Sequence, residues 1–368
     1  VDELVDLLNA GRVTTLVTLG GNPVYDTPAD IDFAVAMGKA KTRIHRGHRV
    51  DATAEQCNWH VPQAHYLESW GDATAYDGTH MAVQPLIAPL YDGKTVTELL
   101  STIVHDQPKT AYEIARTTFA FKTGAGMVPD ADPSFEKEWR TFIHDGLLKG
   151  SAERGGRPGL AGARLEQPKA GAELSATNLE ITFLQDQSMY DGRFADNAWL
   201  QEMPDFMSKL TWDNAAIVGP STADALDVKH GDVVTLDYEG RTLDMPIYVL
   251  PGQAAWSVAV HLGYGRKDAG RVGQDIGFDT YSLRTWDGLH RGAGLKITKT
   301  GGTYTLATTQ DHHAIVNAGA EEIQKRVPAL VREGNIEDYK ADPEFVDHLG
   351  VHSPPLDSLW KEWEYDGY

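Results

Sequence analysis

The sequence predicts an α/β protein in two parts, a parallel α/β layer followed by a small closed β-barrel. Three observations carry that expectation. Residues 13–19 form a β-branched, apolar run that ends in Gly20-Gly21-Asn22-Pro23, the punctuation of a strand entering a loop. Thr27 and Pro28 then offer a helix cap and first position, with Asp30 and Asp32 near the start and Gly38 near the end. Strand, glycine loop and capped helix make a βα unit, the repeating piece of a parallel layer. Further on the period becomes two: Trp256, Val258, Val260 and Leu262 share one face and Ser257, Ala259 and His261 the other, as in a closed barrel.

The remaining elements follow in order. Val1, Leu4, Val5 and Leu8 recur at helical spacing and Gly11 ends the pattern, so the chain opens on a short amphipathic helix. Residues 43–50 supply the next strand. Between Asp51 and Asp92 no period survives, which predicts long ordered loops packed on the sheet. Helices are expected over 95–104, 111–121 and 135–148, the last burying Trp139, Phe142 and Ile143. Residues 150–171 are rich in Gly with mixed charge and read as a disordered linker. A strand over 179–184 leads through Tyr190-Asp191-Gly192-Arg193 to the second region. There a short helix over 222–226, capped by Ser221 with Asp224 three residues on, precedes strands over 233–238, 241–245, 247–250 and 256–262. From Asp311 onward one helix is expected, over 318–331.

Composition removes several functions. The chain has 368 residues, 41% hydrophobic, enough for a sizeable core. Mean hydropathy is −0.36, and no apolar run approaches the ~18 residues of a spanning helix. Any membrane contact is therefore expected through other subunits. A net charge of −20, gathered in part at Glu362, Glu364 and Asp366, repels phosphate backbones, so nucleic acid is not an expected partner. Cys57 is the sole cysteine. One thiol cannot ligate an iron–sulfur cluster or attach a c-type haem, and Cys57 is expected to be a buried structural thiol. The start at Val1 and the finish at Glu364-Tyr365-Asp366-Gly367-Tyr368 read as cuts within a longer protein.

The segment Thr18-Leu19-Gly20-Gly21-Asn22-Pro23-Val24-Tyr25-Asp26-Thr27-Pro28-Ala29-Asp30 resembles the one after a strand in the molybdopterin oxidoreductase (dimethyl sulfoxide reductase) family. The order is kept through Glu68-Ser69-Trp70-Gly71-Asp72, Trp212-Asp213-Asn214-Ala215-Ala216 and His230-Gly231-Asp232-Val233-Val234. Finer wording in Ala64-His65-Tyr66-Leu67, Val83-Gln84-Pro85-Leu86-Ile87-Ala88-Pro89-Leu90-Tyr91, His261-Leu262-Gly263-Tyr264-Gly265-Arg266 and Thr300-Gly301-Gly302-Thr303-Tyr304 resembles one branch. That branch is the molybdopterin-oxidoreductase-like half of the large iron–sulfur subunit of bacterial alternative complex III, a respiratory quinol-oxidising assembly. The resemblance implies a partial Rossmann-like parallel α/β layer over 1–205, a double-psi-type β-barrel over 206–310 that corresponds to a molybdopterin-dinucleotide-binding domain, and a connecting tail over 311–368 toward a ferredoxin-like domain. It further implies no cofactor in this chain, iron–sulfur clusters in the half that follows, c-type cytochrome subunits among the partners, and a place on the periplasmic side of the inner membrane. The rival reading is a fragment of an active oxidoreductase carrying bis-molybdopterin guanine dinucleotide; a third is a free-standing ligand-binding protein.

Candidate sites are few, and each has a plainer reading. Gly20, Gly21 and Asn22 could cradle a phosphate at a helix start, but the spacing is not GxGxxG and Pro23 removes a donor, so an inherited tight turn is expected. Gly263, Tyr264, Gly265 and Arg266 lie where cofactor-binding relatives approach a pterin dinucleotide; the guanidinium suits a pyrophosphate, and the plainer reading is a barrel turn. His45 with His48, His60 with His65, and His312-His313 beside Asp311 match no metal template, so no metal site is expected. No GxSxG motif supports a hydrolase, and Asp130 and Asp132 suit solvation or a helix cap better than acid–base work. No catalytic residue is expected. Trp59, Trp70, Tyr76 and Tyr91 are read as anchors of a subunit contact.

Overall fold

The computed structural model describes residues 1–128, 132–153, 155–156, 171, 173–309, 327 and 331–348. The chain divides into two units, Val1–Ala307 and Thr308–Tyr368. The first unit opens on α1 (Asp2–Asn9) and β1 (Thr15–Leu19), as expected. A four-residue helix, α2 (Pro23–Asp26), begins directly after the glycine turn, with Pro23 in its first turn.

The helix expected from Thr27 does not form there. Ala29 N donates to Arg284 O at 2.7 Å, and the Asp30 carboxylate accepts Trp286 N at 3.0 and 3.1 Å. Those bonds hold residues 27–31 against the later part of the chain, and tertiary contact overrides the local capping pattern. The helix α3 (Phe33–Gly38) starts afterwards, capped by Asp32, whose side chain accepts from Val35 N.

β2 (Thr42–Gly47) pairs parallel with β1, and after α4 (Ala52–Glu55) β3 (Trp59–Pro62) pairs parallel with β2, giving the order β1-β2-β3. The stretch read as loops thus contains α4, β3 and an antiparallel pair, β4 (Gly71–Thr74) with β5 (His80–Val83). Each has four residues, too few to display a period.

α5 (Val96–Val104) and α6 (Ala111–Lys122) both begin in capping boxes, Thr95 with Glu98 and Thr110 with Glu113. α7 (Pro133–Asp145) is capped by Asp132, which accepts Ser134 N at 2.9 Å, and ends at Gly146 in the left-handed region. Phe119, Phe135, Trp139 and Phe142 of α6 and α7 form an aromatic core against which Trp70 packs. The expected linker over 150–171 lies mostly outside the described residues.

The barrel begins earlier than residue 206. β6 (Leu179–Gln185) pairs parallel with β10 (Ser257–Leu262) and antiparallel with β11 (Arg291–Thr303). Between them α8 (Ala198–Glu202), β7 (Ala216–Val218), α9 (Pro220–Leu226), β8 (Asp232–Tyr238) and β9 (Arg241–Val249) complete a closed barrel of order β10-β6-β11-β8-β9-β7. α9 is capped by Gly219 with Pro220 at its first position, so Ser221 lies inside the helix instead of capping it.

The two strands expected over 241–250 are one. β9 pairs antiparallel with β8 up to Pro246 and parallel with β7 from Ile247, so the proline sits where the strand changes neighbours. Ile181, Val234, Leu236, Ile247, Val258 and Val260 are fully buried in the barrel core. At about 1.5–3 kcal/mol for each such side chain, this core dominates the stability of the region.

In the second unit, described by itself, Asn335 and Asp338 form a capping box for the helix Ile336–Ala341, and Phe345–His348 adds one further turn. The helix expected over 318–331 falls largely outside the described residues. No helix among the described residues is long and apolar enough to cross a membrane.

Candidate functional site

The two glycine turns singled out in the sequence meet at one seam within the first unit. Tyr25, three residues beyond Asn22, donates its hydroxyl to Tyr264 O at 2.6 Å. Its ring lies under the Arg266 guanidinium at 5.4 Å and meets Tyr281 edge-on at 4.9 Å. The loop after β1 is thereby locked to the loop after β10.

The first turn is open. Gly20 and Gly21 have φ +92° and +78°, and a Cβ at Gly21 would meet nothing within 4 Å. Asn22 Oδ1 accepts Thr53 N at 3.0 Å and Thr53 Oγ1 at 2.7 Å, tying the turn to α4. Asn22 Nδ2 is buried without a hydrogen-bond partner.

The second turn is packed shut. A Cβ on Gly263 (φ +100°) would lie 2.9 Å from Gly192 N, and one on Gly265 (φ +70°) would lie 2.2 Å from Asp279 N. Backbone fills the space that glycine leaves in cradles where an anion approaches. Arg266 is committed as well, donating from Nη1 to Gly192 O at 2.6 Å and from Nη2 to Asp268 O at 3.1 Å. Tyr264 is buried.

Charge at the seam is held in balance by burial. Burial, reinforced by the Asp191 charge, pushes the Asp26 carboxyl up to about 6, and burial does the same for Asp279. The Tyr25, Tyr264 and Tyr281 phenols are raised for the same reason and stay protonated. Arg284 donates to Asp26 O at 2.9 Å and lies 4.6 Å from the Tyr281 ring centre. Arg49 and Asp196 form a further ion pair. These contacts hold the two loops to each other.

The second turn leaves no room for a pyrophosphate beside its glycines. A Cβ on Gly263 or Gly265 would meet backbone at under 3 Å, and the Arg266 guanidinium already serves two carbonyls. A cavity of about 320 Å³ does open at the carboxyl ends of β2 and β3, lined in part by Arg46, Gln63, Tyr66, Trp70 and Thr95. There Arg46 donates to Lys94 O at 2.9 Å and to Gln63 Oε1 at 3.2 Å.

The histidines pair differently from their order along the chain. His45 and His60 stand opposite each other on β2 and β3, with Nδ1 atoms 3.2 Å apart, whereas the His48 ring lies 5.7 Å from that of His65. His45 also approaches Gly21 O at 3.2 Å, and burial lowers the pKa of His60, so this pair braces the first turn. Cys57 is half-buried and its thiol is pushed up by burial, which keeps it from acting as a thiolate. Asp130, Asp311, His312 and His313 lie outside the described residues.

Of the four aromatic anchors, Trp59, Tyr76 and Tyr91 are exposed, while Trp70 is packed against Tyr112 and Trp139. Trp70 is half-buried, packing on the α6/α7 aromatic core while lining the cavity. Sequence reading missed Tyr25, and also a cluster of Asp186, Asp205 and His261 whose ligating atoms lie within 4.8 Å of one another. Asp186-Gln187-Ser188 and Asp205-Phe206-Met207-Ser208 carry the local signature of an Asp folded onto its own following backbone, the one signal that could have marked them.

A mixed α/β fold with a three-stranded parallel sheet and a closed six-stranded barrel is consistent with the molybdopterin-oxidoreductase-like fold expected from the sequence. Among solved structures the chain is similar to acetylene hydratase from Pelobacter acetylenicus, at 12% identity and a TM-score of 0.52, over 80% of this chain and 46% of that one. At that identity the likeness shows a shared fold, and the chain spans less than half the length of that protein. The sequence matches no protein-family model and no curated protein.

Proposed function

We propose that this chain is a non-redox scaffold, the molybdopterin-oxidoreductase-like half of the large iron–sulfur subunit of an alternative complex III. It positions a cluster-bearing domain and c-type cytochrome subunits for electron transfer from quinol, on the periplasmic side of a bacterial inner membrane. The observation that most supports this reading is the closed seam, with Gly265 against Asp279, Arg266 on Gly192 and Tyr25 on Tyr264. The exposed Trp59, Tyr66, Leu90 and Tyr91 supply surface of the kind a subunit contact uses. In this reading the barrel is of the double-psi type, and its mixture of parallel and antiparallel pairs supports that assignment.

One observation favours the rival, a fragment of an active bis-molybdopterin guanine dinucleotide enzyme: the unpartnered Asn22 Nδ2 at the open turn. Elemental analysis of the intact subunit separates the two. The scaffold reading expects iron without molybdenum or tungsten; one atom of either metal per polypeptide overturns it.

A further inference from the structure

We infer that Asp186, Asp205 and His261 form a binding site for a first-row divalent cation at the carboxyl end of the β6/β10 strand pair. This inference is independent of the scaffold reading. Asp186 directly follows β6, His261 belongs to β10, where it stands opposite Leu184, and Asp205 comes from the segment between β6 and β7. Their ligating atoms all lie within 4.8 Å of one another, with His261 Nδ1 3.5 Å from Asp186 Oδ2.

Each ligand is oriented by a partner behind it. Asp186 Oδ1 accepts Ser188 N at 2.8 Å and Met189 N at 2.7 Å, while the carboxylate also faces the Tyr264 hydroxyl and turns Oδ2 toward His261. Asp205 Oδ1 accepts Met207 N, Ser208 N and Ser208 Oγ at 3.0, 2.6 and 2.8 Å, and its Oδ2 accepts only Gln187 Nε2, at 2.9 Å. The backbone carbonyl of His261 accepts Asn214 Nδ2 at 2.9 Å and Thr280 Oγ1 at 2.8 Å, so the base of the imidazole is fixed too. Partners that fix the orientation of a carboxylate in this way are what outer groups supply to metal ligands.

Charge carries the argument further. The Asp186 side chain is 4% exposed, yet neither Asp186 nor Asp205 has a Lys or Arg within ion-pairing distance among the described residues. Two carboxylates held this close, one of them buried, repel each other, a cost that His261, 3.5 Å from Asp186 Oδ2, lessens when protonated and that a bound cation removes. The cluster brings together two carboxylates and one imidazole, a donor set whose charge one divalent cation matches. Two carboxylate oxygens and an imidazole nitrogen suit Zn²⁺, Mn²⁺ or Fe²⁺, bonded at about 2.0–2.2 Å, with water in the open positions. Asp205 and His261 are only partly buried, so an ion can reach the site from solvent.

The test is calorimetric titration of the full chain, stripped with a chelator, with Zn²⁺ alone. One equivalent is expected to bind saturably and to raise the melting temperature. Asp205→Asn keeps the side-chain shape and the Oδ1 acceptor of residue 205, His261→Gln removes the imidazole nitrogen, and each is expected to weaken binding by more than about tenfold, the lower end of what even outer partners of a ligand contribute. His45→Gln is expected to leave binding unchanged. No saturable binding by the wild-type chain, equal affinity in both cluster variants when circular dichroism shows them folded, or loss of binding in His45→Gln would each overturn the assignment.

Discussion

The turns at Gly20–Gly21 and Gly263–Gly265 look alike in sequence, and both use left-handed glycines, yet they do opposite things. At the first, glycine is needed for backbone conformation alone, because the space around Gly21 is empty. At the second, glycine is needed for space, because Asp279 and Gly192 backbone occupy the volume a Cβ would take. A glycine-rich loop is thus two different devices, and neighbours distant in sequence decide which. One leaves open space beside the backbone; the other closes the chain on itself.

Substitutions should separate the two devices. The largest effect is expected at Gly265→Ala, which combines a 2.2 Å approach to Asp279 N with a strained φ of +70°. A loss of about 3–4 kcal/mol is expected by urea denaturation, overpacking and left-handed strain acting together. Next comes Arg266→Met, which removes the charge-assisted bond to Gly192 O and leaves a carbonyl without its donor. A loss of about 1.5–3 kcal/mol is expected in the same assay.

The acid side of the seam gives a pH-dependent effect of intermediate size. Asp26 titrates at about 6 in the folded chain against 3.8 when unperturbed. Between those values the folded chain keeps a proton that the unfolded chain has lost, so this group makes stability fall as pH rises, and the penalty is complete above the folded pKa. Asp26→Asn is therefore expected to be near neutral in effect at pH 4 and to stabilise by about 1–2 kcal/mol at pH 7.5. Parallel urea curves at the two pH values check this, and equal effects at both would break the account of the buried carboxyl. The smallest effect belongs to Gly21→Ala, where only the φ of +78° is strained. About 1 kcal/mol is expected, and a loss as large as that at Gly265 would erase the distinction between the turns.

Barrel strands were legible where alternation was clean, as in β8 and β10. β11 was not read at all, although its thirteen residues make it the longest strand described. Its ladder shifts register between Ala293 and Leu295 and again between Lys299 and Thr303, and glycines at 294, 301 and 302 break the period the eye follows. The start of α3 was misplaced for the opposite reason: the capping signal at Thr27 and Pro28 is genuine locally, but Trp286 and Arg284 claim the residues after it.

Both glycine turns were legible as candidates because glycine clusters announce themselves. What joins them was not, since Tyr25 and Tyr264 are 239 residues apart and nothing in the wording of either loop names the other. The Asp186, Asp205 and His261 cluster escaped for the same reason. Metal templates read ligands on one helix or one loop, whereas these converge from two paired strands and a distant turn.

Calorimetric titration of the intact chain with GDP, the nucleotide end of a pterin dinucleotide, tests the closure of the seam most directly. No saturable heat is expected up to millimolar nucleotide, because Arg266 and the glycines beside it are already engaged. Micromolar binding that disappears in Arg266→Met would show the seam to be an open cradle and contradict the account.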